Sequence, residues 1–238
     1  MRVPINRRLQ CCASLVPPGA RVYDVGCDHG YLGIYLLTQG LAAHVTASDL
    51  RPKPLDRARE NARRFGVAAG MDFVCCDGLQ AMDGSQGDTL VIAGMGGDAI
   101  AGILADCAWV KDSRYTLILQ PQSSGNDLRR YLGQHGFSIL EEQLVQDGGF
   151  VYSVMVCRYG GGQPLSPGQQ YLSPQLLARG GELLEIYFDH VTNGLERAVV
   201  GLQRSKNPKD VGRLPYYQTA LDEIREMREQ YDNRTSGA

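Results

Sequence analysis

Short apolar runs alternate with helix-length amphipathic segments along the first 160 residues of the chain. Most of the runs end at Asp, Gly or Pro, and this pattern is typical of strands. We predict strands at residues 21–25, 44–48, 72–75, 89–93, 115–119, 137–144 and 151–159, and helices at about residues 29–39, 52–65, 97–107 and 126–134. The regular alternation of strand and helix predicts an α/β fold with a doubly wound, mostly parallel sheet.

The last two predicted strands are separated by Gln146-Asp-Gly-Gly149, which is a hairpin turn signal. A parallel sheet that finishes in an antiparallel hairpin is typical of class I methyltransferases. A nicotinamide-binding domain more often continues with another βαβ unit. The predicted fold class is therefore α/β, a Rossmann-like doubly wound sheet that ends in an antiparallel hairpin.

The C-terminal part of the chain has a different pattern. The composition of residues 160–168 predicts a flexible linker, so we expect a first domain at 1–160 and a second at 161–238. Apolar residues at steps of three and four from Leu176 to Leu202 predict one long amphipathic helix. A second stripe, Tyr217 to Tyr231, predicts a helix that folds back as an antiparallel coiled-coil hairpin. The alternative is that both helices pack against the main domain.

The first predicted strand runs into a glycine-containing turn that precedes a helix, an arrangement that cradles nucleotides. Asp28 stands where a dinucleotide fingerprint has its third glycine. A carboxylate at that position suits a ligand with a cationic amino-acid end better than a pyrophosphate. This points to S-adenosylmethionine as cofactor. The turn residues that we expect to bind it are Asp24, Gly26, Asp28 and Gly30.

Further polar residues follow the next three strands. Asp49 comes about 20 residues after the glycine turn, the usual place for a carboxylate on ribose hydroxyls. Asp77 follows the third strand and can accept a hydrogen bond from an adenine amine. A single Asp at a strand end is often only a helix cap, but three successive ones favour a cofactor site. The remaining predicted cofactor residues are Leu50, Gly78, Gly94, Met95 and Gly96.

The net charge of −2 hides an asymmetry along the chain. Residues 1–70 hold ten Lys and Arg against five Asp and Glu, whereas residues 71–160 hold five against eleven. A basic N-terminal third can form a surface for a phosphate backbone, although a solvated helix face explains it equally well. The RNA-binding candidates are Arg2, Arg7, Arg8, Arg57, Arg59, Arg63 and Arg64, and more weakly Arg204, Lys206 and Lys209.

Other classes of protein find little support. No apolar run approaches the ~20 residues that cross a bilayer, and no apolar signal segment follows the basic N-terminus, so we expect a cytoplasmic protein without membrane contact. The seven cysteines form no Cys-x-x-Cys pair and the four histidines are far apart, so we expect reduced thiols and no metal site. The sequence predicts no oligomeric state.

Three motifs together resemble the bacterial tRNA adenine-N1 methyltransferases that act at position 22. They are Asp24-Val-Gly-Cys-Asp-His-Gly-Tyr-Leu32, Ile92-Ala-Gly-Met-Gly-Gly97 and Leu117-Ile-Leu-Gln-Pro121. The resemblance covers essentially the whole chain, including the C-terminal coiled-coil hairpin. It implies methyl transfer from S-adenosylmethionine to N1 of adenine 22, with tRNA as the partner.

Neutral adenine keeps its N1 lone pair, so this reaction does not require a strong general base. We hypothesise that backbone carbonyls of residues 94–97 hold the N6 amine of the target, with Met95 or Tyr31 against the base. His29 is expected to cap the first helix or to contact substrate, and is less suited to act as a base. The predicted catalytic residues are Asp28, His29, Tyr31 and Met95.

Three alternatives remain open from the sequence. The same cofactor could serve another RNA position or a small-molecule acceptor. A nucleotide-binding oxidoreductase is disfavoured by Asp28 and by the terminal hairpin. A non-enzymatic scaffold is disfavoured by the acidic strand ends. Binding of S-adenosylmethionine rather than NAD, and nucleoside analysis of methylated tRNA, distinguish these possibilities.

Overall fold

The computed structural model describes residues 2–236, and a single seven-stranded sheet lies at its centre. The strand order is β3-β2-β1-β4-β5-β7-β6; the first five strands are parallel and β7 is antiparallel to both of its neighbours. This confirms the predicted fold class, including the terminal hairpin. The strands are β1 Ala20–Val25, β2 Ala42–Asp49, β3 Met71–Cys75, β4 Thr89–Gly96, β5 Thr116–Ser123, β6 Phe137–Asp147 and β7 Phe150–Tyr159.

Helices cover both faces of the sheet, and alternate strand residues belong to two separate cores. Val22 packs in the core beneath α1, α2 and α3, whereas its neighbour Tyr23 packs in the core beneath α4 and α5. Strands buried on both faces explain the nearly continuous apolar runs. The helices are α1 Arg7–Ser14, α2 Tyr31–Thr38, α3 Pro52–Arg64, α4 Gly97–Ala105, α5 Gly125–Gln134, α6 Pro167–Tyr171, α7 Pro174–Arg179, α8 Glu182–Arg204 and α9 Pro208–Ser236.

The sheet register places the ends of four strands at one level. Val25 pairs with Ser48 on one side and with Ile92 on the other, and Ile92 pairs with Leu119. The residues that follow these positions therefore meet at the carboxyl edge of the sheet, where ligands of such folds bind.

The predicted flexible linker is wrong, because this segment packs against the domain. A Cβ added at Gly162 would lie 2.4 Å from the carbonyl oxygen of Phe137, so two backbones touch there. Leu165 packs against the core beneath α4 and α5, and a capping box of Ser166 and Gln169 starts α6. Glycine-rich composition predicts flexibility only where nothing packs on the chain; here the missing side chains permit close approach. The domain boundary at residue 160 stays a prediction.

The single long helix predicted from Leu176 to Leu202 is also wrong. Gly180 and Gly181 have φ of +66° and +106° and separate α7 from α8. The spacing of apolar residues continues across the break, because α7 and α8 bury the same stripe in one core. The following helix, α9, begins at Pro208 and contains Pro215, so it starts earlier than the second stripe indicated.

The two longest helices form an antiparallel hairpin that also packs on the sheet. Arg225 of α9 pairs with Glu196 of α8 at 2.7 Å, and Arg228 pairs with Asp189 at 2.9 Å, so rising numbers in one helix meet falling numbers in the other. Leu144 of β6 packs against the core of this helical hairpin. The predicted antiparallel pairing of the two helices is confirmed, and the alternative, packing against the main domain, also holds; the coiled coil stays a prediction. No helix within residues 2–236 is long and apolar enough to span a membrane.

Candidate active site

A cavity of about 800 Å³ opens at the carboxyl edge of the sheet, above β1, β2 and β4. Three of the four predicted turn residues line it, together with both other acidic strand ends and with His29 and Tyr31, whereas the predicted cofactor residues Gly30 and Gly96 do not. The predicted residues that line it are Asp24, Gly26, Asp28, His29, Tyr31, Asp49, Leu50, Asp77, Gly78, Gly94, Met95 and Arg8.

The turn after β1 is built from left-handed backbone conformations. Gly26, Asp28 and Gly30 have φ of +73°, +48° and +72°. Asp28 is one of only two residues other than glycine with positive φ in the described part of the chain, and such residues are uncommon outside turns and functional sites. A Cβ at Gly26 would lie 2.1 Å from Cε of Met95, so the absence of a side chain lets Met95 cross the turn. A Cβ at Gly30 would lie 2.9 Å from Cβ of Ala58, so Gly30 is needed for packing on α3.

Asp24 is a buried carboxylate, only 5% exposed, in the floor of the cavity. Its Oδ2 has no hydrogen-bond partner within residues 2–236. The pKa of Asp24 is raised to about 7, chiefly by burial; a backbone hydrogen bond from Gly33 opposes this rise, and the charge of nearby Asp49 contributes to it. A buried anion with a free oxygen is stabilised by a cation that enters the cavity.

Asp49 closes the second side of the cavity. Its Oδ2 accepts a hydrogen bond from the backbone N–H of Asp28 at 3.2 Å, and its Oδ1 accepts one from the N–H of Arg51 at 2.9 Å. The carboxylate therefore has a fixed orientation and retains lone pairs for a ligand. Leu50 beside it is 63% exposed at the lip of the cavity, while Asp77 is exposed on the far side. Asp49, Leu50 and Asp77 therefore extend the lining of the cavity from β1 to β3.

The loop after β4 forms the opposite wall. Gly94 has φ of +81°, and its N–H donates to Oε1 of the fully buried Gln120 at 3.2 Å. Gln122, two residues further along β5, is exposed and lines the cavity. Both glutamines follow Leu119, and the sequence analysis did not assign Gln122 to the site. Its position at a strand end, next to Gln-Pro, was the available signal.

His29 and Tyr31 stand at the cavity mouth. The rings lie 6.1 Å apart in an edge-to-face arrangement, and Nε2 of His29 is 3.6 Å from Oδ2 of Asp28. The backbone oxygen of His29 accepts a hydrogen bond from Nδ2 of Asn61 at 3.0 Å. The side chain of His29 is exposed, so it can reach a substrate but is not held as a buried base.

Arg8 lies in the wall of the cavity and is fully engaged with protein groups. Its Nε is 3.0 Å from Asp147, its Nη1 donates to Gln120 at 3.0 Å, and its guanidinium covers the ring of Tyr152 at 4.8 Å. These contacts fix α1 to the β6–β7 hairpin. The helix itself went unpredicted, although Asn6 caps it by accepting from the N–H of Leu9.

The other candidate arginines lie outside the cavity. Arg57 pairs with Glu60 at 3.3 Å, and Arg59 donates to the carbonyl oxygen of Phe73 at 3.3 Å. The remaining candidates are exposed: Arg2, Arg7, Arg63, Arg64, Arg204, Lys206 and Lys209. The last three lie at the turn between α8 and α9. The described residues contain no group of three or more His, Cys, Asp or Glu that could hold a metal ion.

Comparison with known proteins gives a consistent result. A family model described as a methyltransferase domain matches residues 5–155. The tRNA (adenine(22)-N(1))-methyltransferase of Bacillus subtilis is 30% identical over 66% of each chain. The crystal structure of the B. subtilis M1A22 tRNA methyltransferase TrmK shares the fold, with a TM-score of 0.82 at 24% identity over 95% of this chain and 99% of that one.

A third relative, Sp1610 of Streptococcus pneumoniae, was solved in complex with S-adenosyl-L-methionine. It is 29% identical, with a TM-score of 0.75, over 90% of this chain and 98% of that one. The match to the family model covers more than half of this chain, from α1 to β7. The chain therefore belongs to the methyltransferase-domain family.

Proposed function

We propose that the protein transfers a methyl group from S-adenosylmethionine to N1 of adenine 22 in tRNA. The observation that carries this proposal is the acid-lined cavity at the carboxyl edge of a methyltransferase sheet, where Oδ2 of the buried Asp24 has no hydrogen-bond partner within residues 2–236. The similarity to the B. subtilis enzyme supports the choice of acceptor. A tRNA substrate also makes the cytoplasm the expected location.

The cavity fits the cofactor by charge and by shape. Asp24 and Asp28 supply negative charge for the ammonium group, and the turn at Gly26 lets the backbone approach the ligand. Asp49 is oriented to accept hydrogen bonds from ribose hydroxyls. Leu50, Asp77 and Gly78 flank the place for adenine. When bound, the sulfonium supplies an electrophilic methyl group.

The chain's own contribution to the reaction is alignment. N1 of adenine carries its lone pair at neutral pH, so the protein has to place that lone pair in line with the methyl group and exclude water. Met95 and Tyr31 are placed to contact the base. The carbonyl groups of the loop at Gly94 are available for the N6 amine, and the amide of Gln122 stands beside them. The target base must leave the tRNA stack, at a cost of a few kcal/mol.

We assign tRNA binding to exposed cations outside the cavity. They are Arg2, Arg7, Arg63 and Arg64 in the N-terminal third of the chain, and Arg204, Lys206 and Lys209 at the tip of the helical hairpin. Arg8 has a positioning role, because its guanidinium is already bound to Asp147 and Gln120.

The test combines calorimetry with nucleoside analysis. We expect the wild-type protein to bind S-adenosylmethionine but not NAD, and to form 1-methyladenosine in a tRNA transcript with adenine at position 22 but not in one with guanine there. Asp28→Ala should weaken cofactor binding and slow methylation, whereas Asp56→Asn, at an exposed position on α3, should change neither. Methylation of the guanine-22 transcript, or product at another atom, would overturn the acceptor. Failure to bind the cofactor would overturn the whole proposal.

A further inference from the structure

A second cavity, of about 350 Å³, lies between the sheet and the helical hairpin. We name it the tyrosine cleft, because Tyr152 of β7, Tyr171 of α6, Tyr187 of α8 and Tyr217 of α9 line it. Gln122 lines both this cleft and the larger cavity, so the two cavities are neighbours on the acceptor side of the sheet. A molecule that reaches the reacting centre from this side passes the cleft.

Contacts with the protein hold two of these rings in place. The hydroxyl of Tyr187 donates to the carbonyl oxygen of Tyr171 at 3.2 Å and accepts from Nη2 of Arg129 at 3.3 Å. The hydroxyl of Tyr217 accepts from Nη2 of Arg213 at 2.8 Å. These contacts restrict the orientation of both rings, so little side-chain entropy remains to be lost when a base stacks on them.

The charges of the two cavities differ. Asp24, Asp28, Asp49 and Asp77 line the larger cavity, as expected for a cationic ligand. The tyrosine cleft has neither Asp nor Glu in its lining as far as residues 2–236 are concerned, and its Arg129 is neutralised by Glu142. Aromatic faces, amide and hydroxyl groups, and no carboxylate are the features of sites that bind unstacked bases.

We propose that the tyrosine cleft binds an unpaired nucleotide of the tRNA adjacent to the target adenine. This inference rests on the proposed function and adds a second nucleotide subsite to it. When the target leaves the stack, its neighbour loses a stacking partner, and the tyrosine faces replace that partner. The subsite therefore offsets part of the cost of extruding the target.

The test compares Tyr217→Leu with Tyr217→Phe. The Phe variant keeps the ring face but loses the hydrogen bond from Arg213, so its KM for tRNA should rise less than that of the Leu variant. The Leu variant should raise KM for tRNA about five-fold or more, the loss of a single base–aromatic stack, while its Kd for S-adenosylmethionine stays unchanged. His190→Ala, at an exposed residue on the cleft wall, should raise KM to a smaller extent and guards against misfolding of the Leu variant.

A change in the tRNA distinguishes a stacking role of Tyr217 from a structural one. A tRNA with abasic nucleotides on both sides of the target should raise KM for wild type but add little to the effect of Tyr217→Leu. Unchanged KM in Tyr217→Leu, or additive effects of the two changes, would overturn the subsite. If wild type methylates adenine 22 and the variants match it, only this inference fails; if wild type does not methylate tRNA, the proposed function fails with it.

Discussion

The ionisation of Asp24 connects the cavity floor to the stability of the fold. Its pKa is raised to about 7, whereas the ordinary value is 3.8. Between these two pH values the folded state holds a proton that the unfolded chain has released. The free energy of unfolding therefore falls as pH rises from about 4 to 7, and above pH 7 it stays at this lower value.

We predict that Asp24→Asn removes this pH dependence. The variant and wild type should have similar free energies of unfolding near pH 4, and the variant should be more stable by a few kcal/mol at pH 8, because it has no buried charge. Its affinity for S-adenosylmethionine should fall. Urea unfolding without cofactor at both pH values measures the effect, with Asp56→Asn as the exposed control. A stability difference that does not change with pH would contradict the assignment.

Substitution of Gly26 tests the contact between the turn after β1 and Met95 in the loop after β4. Gly26→Ala and Gly19→Ala both place alanine at φ above +70°, so each should lose about 1–2 kcal/mol of stability. At Gly19 no atom lies within 4 Å of the added Cβ, whereas at Gly26 the added Cβ forces Met95 to move. Only Gly26→Ala should therefore weaken cofactor binding, by about ten-fold or more, which is about 1.4 kcal/mol. Equal affinity of the two variants in calorimetry would refute this role.

At the scale of elements, local patterns predicted the strands and the acidic strand ends, but not the contacts between distant segments. Asp24, Asp49 and Asp77 could be assigned because each lies at or just beyond the end of its own strand. The partners of Arg8, which are Gln120 and Asp147, are more than 100 residues away and leave no local signal. The same is true of Gly162, where composition indicates freedom and tertiary packing removes it.

The contact of α5 with the segment before α6 gives a prediction at this scale. A Cβ at Gly133 would lie 2.4 Å from the carbonyl oxygen of Gln163, which is backbone and cannot easily move aside. Gly133→Ala should destabilise the protein by about 1–3 kcal/mol through overpacking. Gly201→Ala, on α8 with no atom within 4 Å, should stabilise by up to about 1 kcal/mol. Urea unfolding of both variants checks this, and a stable Gly133→Ala would show that residues 160–168 do not pack as described.

At the scale of the whole molecule, Arg129 of α5 connects the sheet to the C-terminal helices. It is fully buried and pairs with Glu142 of β6. It also donates to the carbonyl oxygen of Gln170 at 3.0 Å and to the hydroxyl of Tyr187 at 3.3 Å. The sheet, α6 and α8 therefore share one polar centre.

Removing one partner of this pair should be costly. Arg129→Met leaves the Glu142 carboxylate buried and without its cation, so we expect a loss of about 3–5 kcal/mol of stability. Arg129→Met combined with Glu142→Leu removes both charges and should recover most of that loss. Chemical denaturation of the single and double variants measures the coupling. A double variant as unstable as the single one would show that the polar partners of the pair depend on its charges: Tyr187, Gln170 and Ser173, whose hydroxyl donates to Glu142.

The tip of the helical hairpin gives a prediction about tRNA affinity. Neutralising Arg204, Lys206 and Lys209 to Gln should reduce the slope of log affinity against log salt by about 2 to 3, since each phosphate contact contributes about 0.9. Arg225→Gln, on the same hairpin but paired with Glu196, is the matched control and should leave the slope unchanged. Filter binding across a salt series measures both. An unchanged slope in the triple variant would exclude the tip from the tRNA interface.

The carboxylate oxygen of Asp24 that has no partner within residues 2–236 has a consequence for turnover. Demethylation of the donor removes the sulfonium charge but leaves the amino-acid end intact, so the spent molecule keeps its attraction for the carboxylates around the first turn. Under the proposed function, departure of S-adenosylhomocysteine gains little from chemistry at sulfur, and this by-product should compete effectively with fresh donor. The rate of tRNA modification in the cell would then depend on removal of the by-product as much as on the supply of donor.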